Sequence, residues 1–104
     1  MNRKFVVVVT CMALALFTMP LMAEEGAAIY KAKCAICHGA DGAGQTPMGK
    51  TLKIRDLHSA GVQKMSDNEL TTIISDGKGK MPAYKGKLAP AEISALVDLI
   101  RKMK

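Results

Sequence analysis

The stretch Cys34-Ala35-Ile36-Cys37-His38-Gly39 sets two thiols three positions apart and follows them at once with an imidazole. That pattern is the attachment sequence for a c-type haem. The spacing has a chemical reason: each thiol can add to one of two neighbouring vinyl groups on a porphyrin edge, and the double tether then brings the next residue, His38, beneath the iron. An imidazole tethered in this way has little entropy left to lose on ligation. Three other readings compete, namely a redox-active disulfide, half of a zinc site, and a chance match. Zinc would want a second pair of thiol or imidazole ligands, and a thioredoxin-like dithiol should open a helix behind a strand in a βαβ unit. The surrounding sequence supplies neither context.

The first residues bear on the compartment. Arg3 and Lys4 precede an apolar run from Phe5 to Phe17, and Pro20 and Leu21-Met22-Ala23 follow it. This is the three-part plan of a secretory signal, and the run, broken by Thr10, Thr18 and Pro20, falls short of the ~20 residues that a spanning helix requires. Cleavage is expected after Ala23, with residues 1–23 as signal peptide and residues 24–104 as one small exported domain. Leu21 is larger than the residue an A-x-A-like site prefers.

Residues 24–104 keep 13 of the 15 Lys and Arg and all 9 acids, a balance of +4 before any haem carboxylates. Cys11 leaves with the signal, so Cys34 and Cys37 are the remaining thiols, too close in sequence to staple a fold. Phe5 and Phe17 leave too, there is no tryptophan, and Tyr30 and Tyr84 are the aromatic side chains that stay. A core in a domain this small supplies only roughly 3 to 5 kcal/mol even when large side chains are plentiful. Something non-protein is expected to complete it, and a flat, apolar porphyrin fits both the composition and the attachment sequence.

Along the chain, Gly26, Ile29, Tyr30 and Lys33 recur at helical spacing, and Glu24 and Glu25 sit where a helix start favours negative charge. A first helix is predicted over 25–33. Gly39, Gly42, Gly44, Pro47 and Gly49 predict a close-wrapping loop over 39–51, and 52–62 reads as irregular with one helical turn at most. Ser66 as N-cap, Glu69 at N3 and Met65 with Leu70 as a hydrophobic staple start a helix that Gly77 stops after Asp76. A second loop, Lys78-Gly79-Lys80-Met81-Pro82, leads to a last helix with Pro90 in its first turn and Ile93, Leu96, Val97 and Ile100 along one face. With no strand candidate or internal repeat, the domain should be all-α.

The attachment sequence near the start, a methionine loop and a closing helix together resemble a small monohaem class I bacterial cytochrome c, over nearly all of 25–103. The resemblance implies three to four short helices around one covalently attached haem c, thioether links at Cys34 and Cys37, His38 as proximal ligand and Met81 as sixth ligand. It places Gly26 and Tyr30 at the contact between the first and last helices, and gives Pro47 the carbonyl that orients the ligating imidazole. Leu99 stands where the family often has an aromatic residue.

The sixth ligand can also be argued by elimination. Met65 is used by the staple and Met103 is next to the chain end, whereas Met81 sits on a loop whose Gly77 and Gly79 permit close approach and whose Pro82 stiffens the exit. Met48 is assigned to packing on a haem edge, and His58 keeps a bis-imidazole alternative open. With both axial positions filled, the iron has no site for substrate, which points to a periplasmic one-electron carrier rather than an enzyme. The rivals are a gas-binding or peroxidatic haem protein with a labile Met81, and a haem-free dithiol oxidoreductase.

Lys78, Lys80, Lys85 and Lys87 cluster around Met81 and suit redox partner proteins with acidic docking surfaces. A basic exported chain without aromatic interleaving does not suit nucleic acid. Contact with membranes is expected only through respiratory complexes, and the domain is expected to be a monomer. Replacing Cys34 and Cys37 together by serine should abolish covalent haem and leave a largely unfolded chain; near wild-type helical circular dichroism in that double variant would refute the second half.

Overall fold

A computed structural model describes residues 21–104, so the expected signal lies outside the described residues except for Leu21, Met22 and Ala23. Helix α1 (Leu21–Ile29) runs into a π-helical turn (Tyr30–Cys34) and then into α2 (Ala35–His38). The helical path is therefore longer at both ends than the predicted 25–33. Met22 and Ala23 are good helix formers that extend it upstream, and only Gly39, at φ +82, stops it. The π turn takes in an extra residue, and it puts Tyr30 in the core while Lys31, Ala32 and Lys33 stay exposed.

Helix α3 (Pro47–Thr51) corrects the reading of 39–51 as unbroken loop. Thr46 caps it by accepting from Gly49 N–H at 2.9 Å, and Pro47 stands at the first position, where its fixed φ suits a helix and its missing N–H costs nothing. The one turn expected in 52–62 is α4 (Ala60–Gln63), capped by Ser59. Helix α5 (Asp67–Asp76) starts at Ser66, whose hydroxyl accepts from Glu69 N–H at 3.0 Å, and Gly77 ends it. On α6 (Pro90–Arg101) the N-cap is Ala89, which has no side-chain acceptor; the Glu92 carboxylate instead takes the Ala89 N–H at 2.8 Å. Among the described residues, extended pairing is limited to single bridges between Lys78 and Met81 and between Lys85 and Leu88.

Helix α6 buries Ile93, Leu96, Val97 and Ile100, as its periodicity predicts, and packs against both α1 and α5. Its approach to α1 is close because Gly26 has no side chain: a Cβ there would sit 3.0 Å from the Ala95 carbonyl oxygen and 3.1 Å from its Cβ. The partner of the first-helix glycine is thus a small residue one turn before Leu99, which is itself only partly buried. Gly26→Val should force the helices apart and lower stability by about 1 to 3 kcal/mol, the usual cost of overpacking, measured as the denaturant midpoint at unchanged slope.

Candidate functional site

The last carbonyls of a helix lack partners inside it, and at the end of α2 three successive ones are met from three directions. Thr46 Oγ1 donates to the Cys37 carbonyl at 2.9 Å, Gly44 N–H to the His38 carbonyl at 2.7 Å, and the buried Tyr30 hydroxyl to the Gly39 carbonyl at 2.6 Å. Cys34, Cys37 and His38 thus stand on backbone held by the preceding helix and by the glycine-rich loop. Both cysteines carry free, half-buried thiols. Burial pushes the Cys34 thiol up, with Lys33 pulling the other way and Cys37 adding to the rise.

Burial also pushes the His38 pKa down, so the ring is neutral near pH 7, the form that can ligate a metal. Its Nδ1 is buried without a hydrogen-bond partner. Pro47 lies on α3, which packs on α2, but its carbonyl accepts from the Thr51 hydroxyl at 2.9 Å and not from this nitrogen, unlike the contact expected of it.

Two adjoining cavities of about 320 and 520 Å³ open beside this imidazole. Cys34, His38, Lys53, Ile54, Lys78, Met81 and Tyr84 line both, and Cys37 lines the outer one. The inner cavity is walled by the core itself, including Tyr30, Leu57, Leu70, Ile74 and Leu96. The core is therefore built around a space rather than closed on itself.

Met81 reaches that space from a pinned loop. Gly77 has φ +74, and a Cβ on it would lie 2.6 Å from the Met81 carbonyl oxygen, so both conformation and closeness require glycine. The turn closes through Lys78 N–H to the Met81 carbonyl at 3.2 Å and Met81 N–H to the Lys78 carbonyl at 3.0 Å. Tyr84 N–H then bonds the Ile74 carbonyl and Lys85 N–H the Ser75 carbonyl, sewing the loop back onto α5. The Tyr84 hydroxyl donates to the Lys33 carbonyl at 3.3 Å, joining this loop to the π turn.

Of the other candidate sulfurs, Met48 is 47 % exposed and lines neither cavity, which corrects its assignment to a haem edge. Met65, set aside above as part of the staple, lines the inner cavity. His58 is exposed, outside both cavities, with Nδ1 2.6 Å from Asp56 Oδ1. The lysine cluster divides: Lys78 and Lys80 line the outer cavity, Lys85 and Lys87 do not, and Lys33 and Lys53 take their place. Lys53 is the one non-glycine with positive φ, +54, among the described residues. Sequence carried no signal for its backbone or for Tyr84, whereas Thr46-Pro47 is a helix-start signature that the surrounding glycines obscured.

These residues fit a c-type haem: paired thiols beside a neutral imidazole with an orphaned nitrogen, a methionine on the same walls, and an apolar space between. Comparison with known proteins agrees. Residues 22–100 match the family described as cytochrome C oxidase, cbb3-type, subunit III. Cytochrome c6 from Nostoc sp. is 39% identical over 74% of this chain and 69% of its own, and that from Leptolyngbya boryana is 38% identical over 71% and 84%. The cbb3-type cytochrome c oxidase subunit FixP of Azorhizobium caulinodans is 35% identical over 78% of this chain and 27% of its own. Among solved structures, the KustC0563 c-type cytochrome superposes with a TM-score of 0.70 at 37% identity, covering 76% of this chain and 96% of that one. The chain belongs to this cytochrome c family: it is a small monohaem class I cytochrome, an electron-transfer protein with a covalently bound c-type haem.

Tyr30 ties site to fold, and its pKa is pushed up to about 12, first by burial and then by the Cys34 thiol and the Asp41 carboxyl. The folded state holds this proton more tightly than the unfolded state, so the contribution is complete below pH 10 and is lost as pH rises toward 12. Tyr30→Phe should cost roughly 0.5 to 1.5 kcal/mol at neutral pH through the lost Gly39 bond. The gap between wild type and variant should shrink between pH 10 and 12, as read by chemical denaturation at each pH.

Proposed function

We propose that this cytochrome is an exported, periplasmic, monomeric one-electron shuttle whose haem is tethered by Cys34 and Cys37 and ligated by His38 and Met81. The observation that carries the reading is that Cys34, His38 and Met81 stand on the walls of the same two cavities. A haem held there supplies a one-electron iron couple of raised potential, as histidine–methionine ligation does. The chain's own residues do the rest. The Tyr30, Thr46 and Gly44 contacts fix the imidazole's backbone, the Pro47 carbonyl is assigned to the ring nitrogen in place of the Thr51 hydroxyl, and the apolar wall excludes water. Lys53 and Arg55, on the inner cavity, are assigned to the haem carboxylates.

Removal of residues 1–23 is compatible with the fold, since a cut after Ala23 takes three residues from α1 and leaves the Gly26–Ala95 contact in place. Colour that survives acid–acetone extraction tests the covalent link and separates this reading from a haem-free dithiol. Met81→Ala should lower the potential and admit carbon monoxide to the reduced protein at neutral pH, which wild type should refuse. Retention of the sulfur-to-iron absorption in that variant would move the ligand to Met65, the other methionine on the inner cavity.

Electron exchange with redox partner proteins then runs through the outer cavity, where Lys33, Lys78 and Lys80 gather and, among the described residues, no acid lines the wall. Such a surface attracts an acidic partner, and its pull is screened beyond about 8 to 10 Å near physiological salt. Changing Lys80 and Lys85 to Glu should slow association steeply at low salt with the potential little changed, mostly through Lys80. Equal rates for variant and wild type across a salt series would reduce the lysines to a solvated face.

A further inference from the structure

Gln63, the last residue of α4, uses its side-chain amide twice, donating to the Leu57 carbonyl at 2.8 Å and to the Ile100 carbonyl at 2.9 Å. Beside Ile100, the Arg101 guanidinium donates through Nη1 to the Gln63 carbonyl at 3.0 Å, through Nη2 to the Met65 carbonyl, and through Nε to Asp67 Oδ1 at 2.8 Å. Two side chains thus tie four backbone carbonyls and one carboxylate into a single clamp.

The segment under the clamp is a wall of the site, since Leu57, Val62 and Met65 line the inner cavity together with Ile100. Leu57 and Val62 pack into the core, but the backbone of the segment has little else to hold it. Apart from Leu57 N–H bonded to Gly42, its backbone bonds run within residues 56–65. Helix α4 is one turn of four residues, too short to be stable by itself.

We propose that Gln63 and Arg101 are positioning residues for electron transfer: their clamp presses the Leu57–Met65 wall onto α6, keeps water from the cofactor and so raises its reduction potential. The inference rests on the haem reading above. Oxidation adds a positive charge at the iron, and a drier surrounding disfavours that charge. A wall free to swing out admits water and favours the oxidised form. Asp67, with its side chain 69% exposed, contributes little to the hold.

Gln63→Met keeps the length of the side chain and removes the amide. Arg101→Lys keeps the charge but replaces a fork spanning three acceptors by a single ammonium. Neither variant alters net charge, so a change in potential is not a Coulomb effect of a lost charge. In the haem-loaded protein, each should shift the equilibrium toward the oxidised form by up to tenfold, which is 59 mV for one electron. Each should also speed amide hydrogen exchange across 57–67 while Leu70 and Ile74 of α5 keep wild-type protection. Asp67→Asn should leave both readouts at wild-type values. An unchanged potential in both variants, a lower potential without faster exchange in the wall, or a lowered denaturation midpoint as the only change would overturn the proposal. Failure of the haem reading shows separately, as wild-type protein that loses its colour to acid–acetone.

Discussion

The end of α2 is where local chemistry and global fold meet. His38 can serve only if the turn that carries it is rigid, yet a four-residue helix has almost no stability of its own. What makes it rigid is the satisfaction of the Cys37, His38 and Gly39 carbonyls by Thr46, Gly44 and Tyr30. Each donor then has its own reason to be in place: Tyr30 because the π turn directs it inward, Thr46 because it caps α3, Gly44 because the loop must fold back. The two thiols and the imidazole are held by a network whose other members do no chemistry.

The apolar residues of α5 and α6 follow from the same arrangement. They pack on each other along one side and face the inner cavity on the other. A domain with two tyrosines and no other aromatic outside its first 20 residues has too little bulk to fill that space with protein. A single group lying against these walls supplies the missing contacts, so its binding adds to the stability of the fold.

Short-range features were legible in the residues. The thiol and imidazole spacing lies within five positions, the Ser66 cap and Gly77 stop are local, and the stripe of α6 repeats within one helix. Features that depend on distant partners were not. Glycine count concealed α3, because the capping of Thr46 and Pro47 outweighs nearby breakers only once Thr46 also finds the Cys37 carbonyl. Met65 satisfied a staple pattern and still faces the cavity, since a helix entry and a cavity wall can share one flexible side chain. Lys53's left-handed backbone and the reach of Arg101 across to Gln63 leave no mark on periodicity.

Met22 and Ala23 in the first turn of α1 and Lys102 and Lys104 after α6 border a common hollow. A unit whose entry and exit points are neighbours can be joined into a longer polypeptide without stretching either connection. Such a unit travels well as a module. In the FixP relative the matched stretch is 27% of the whole.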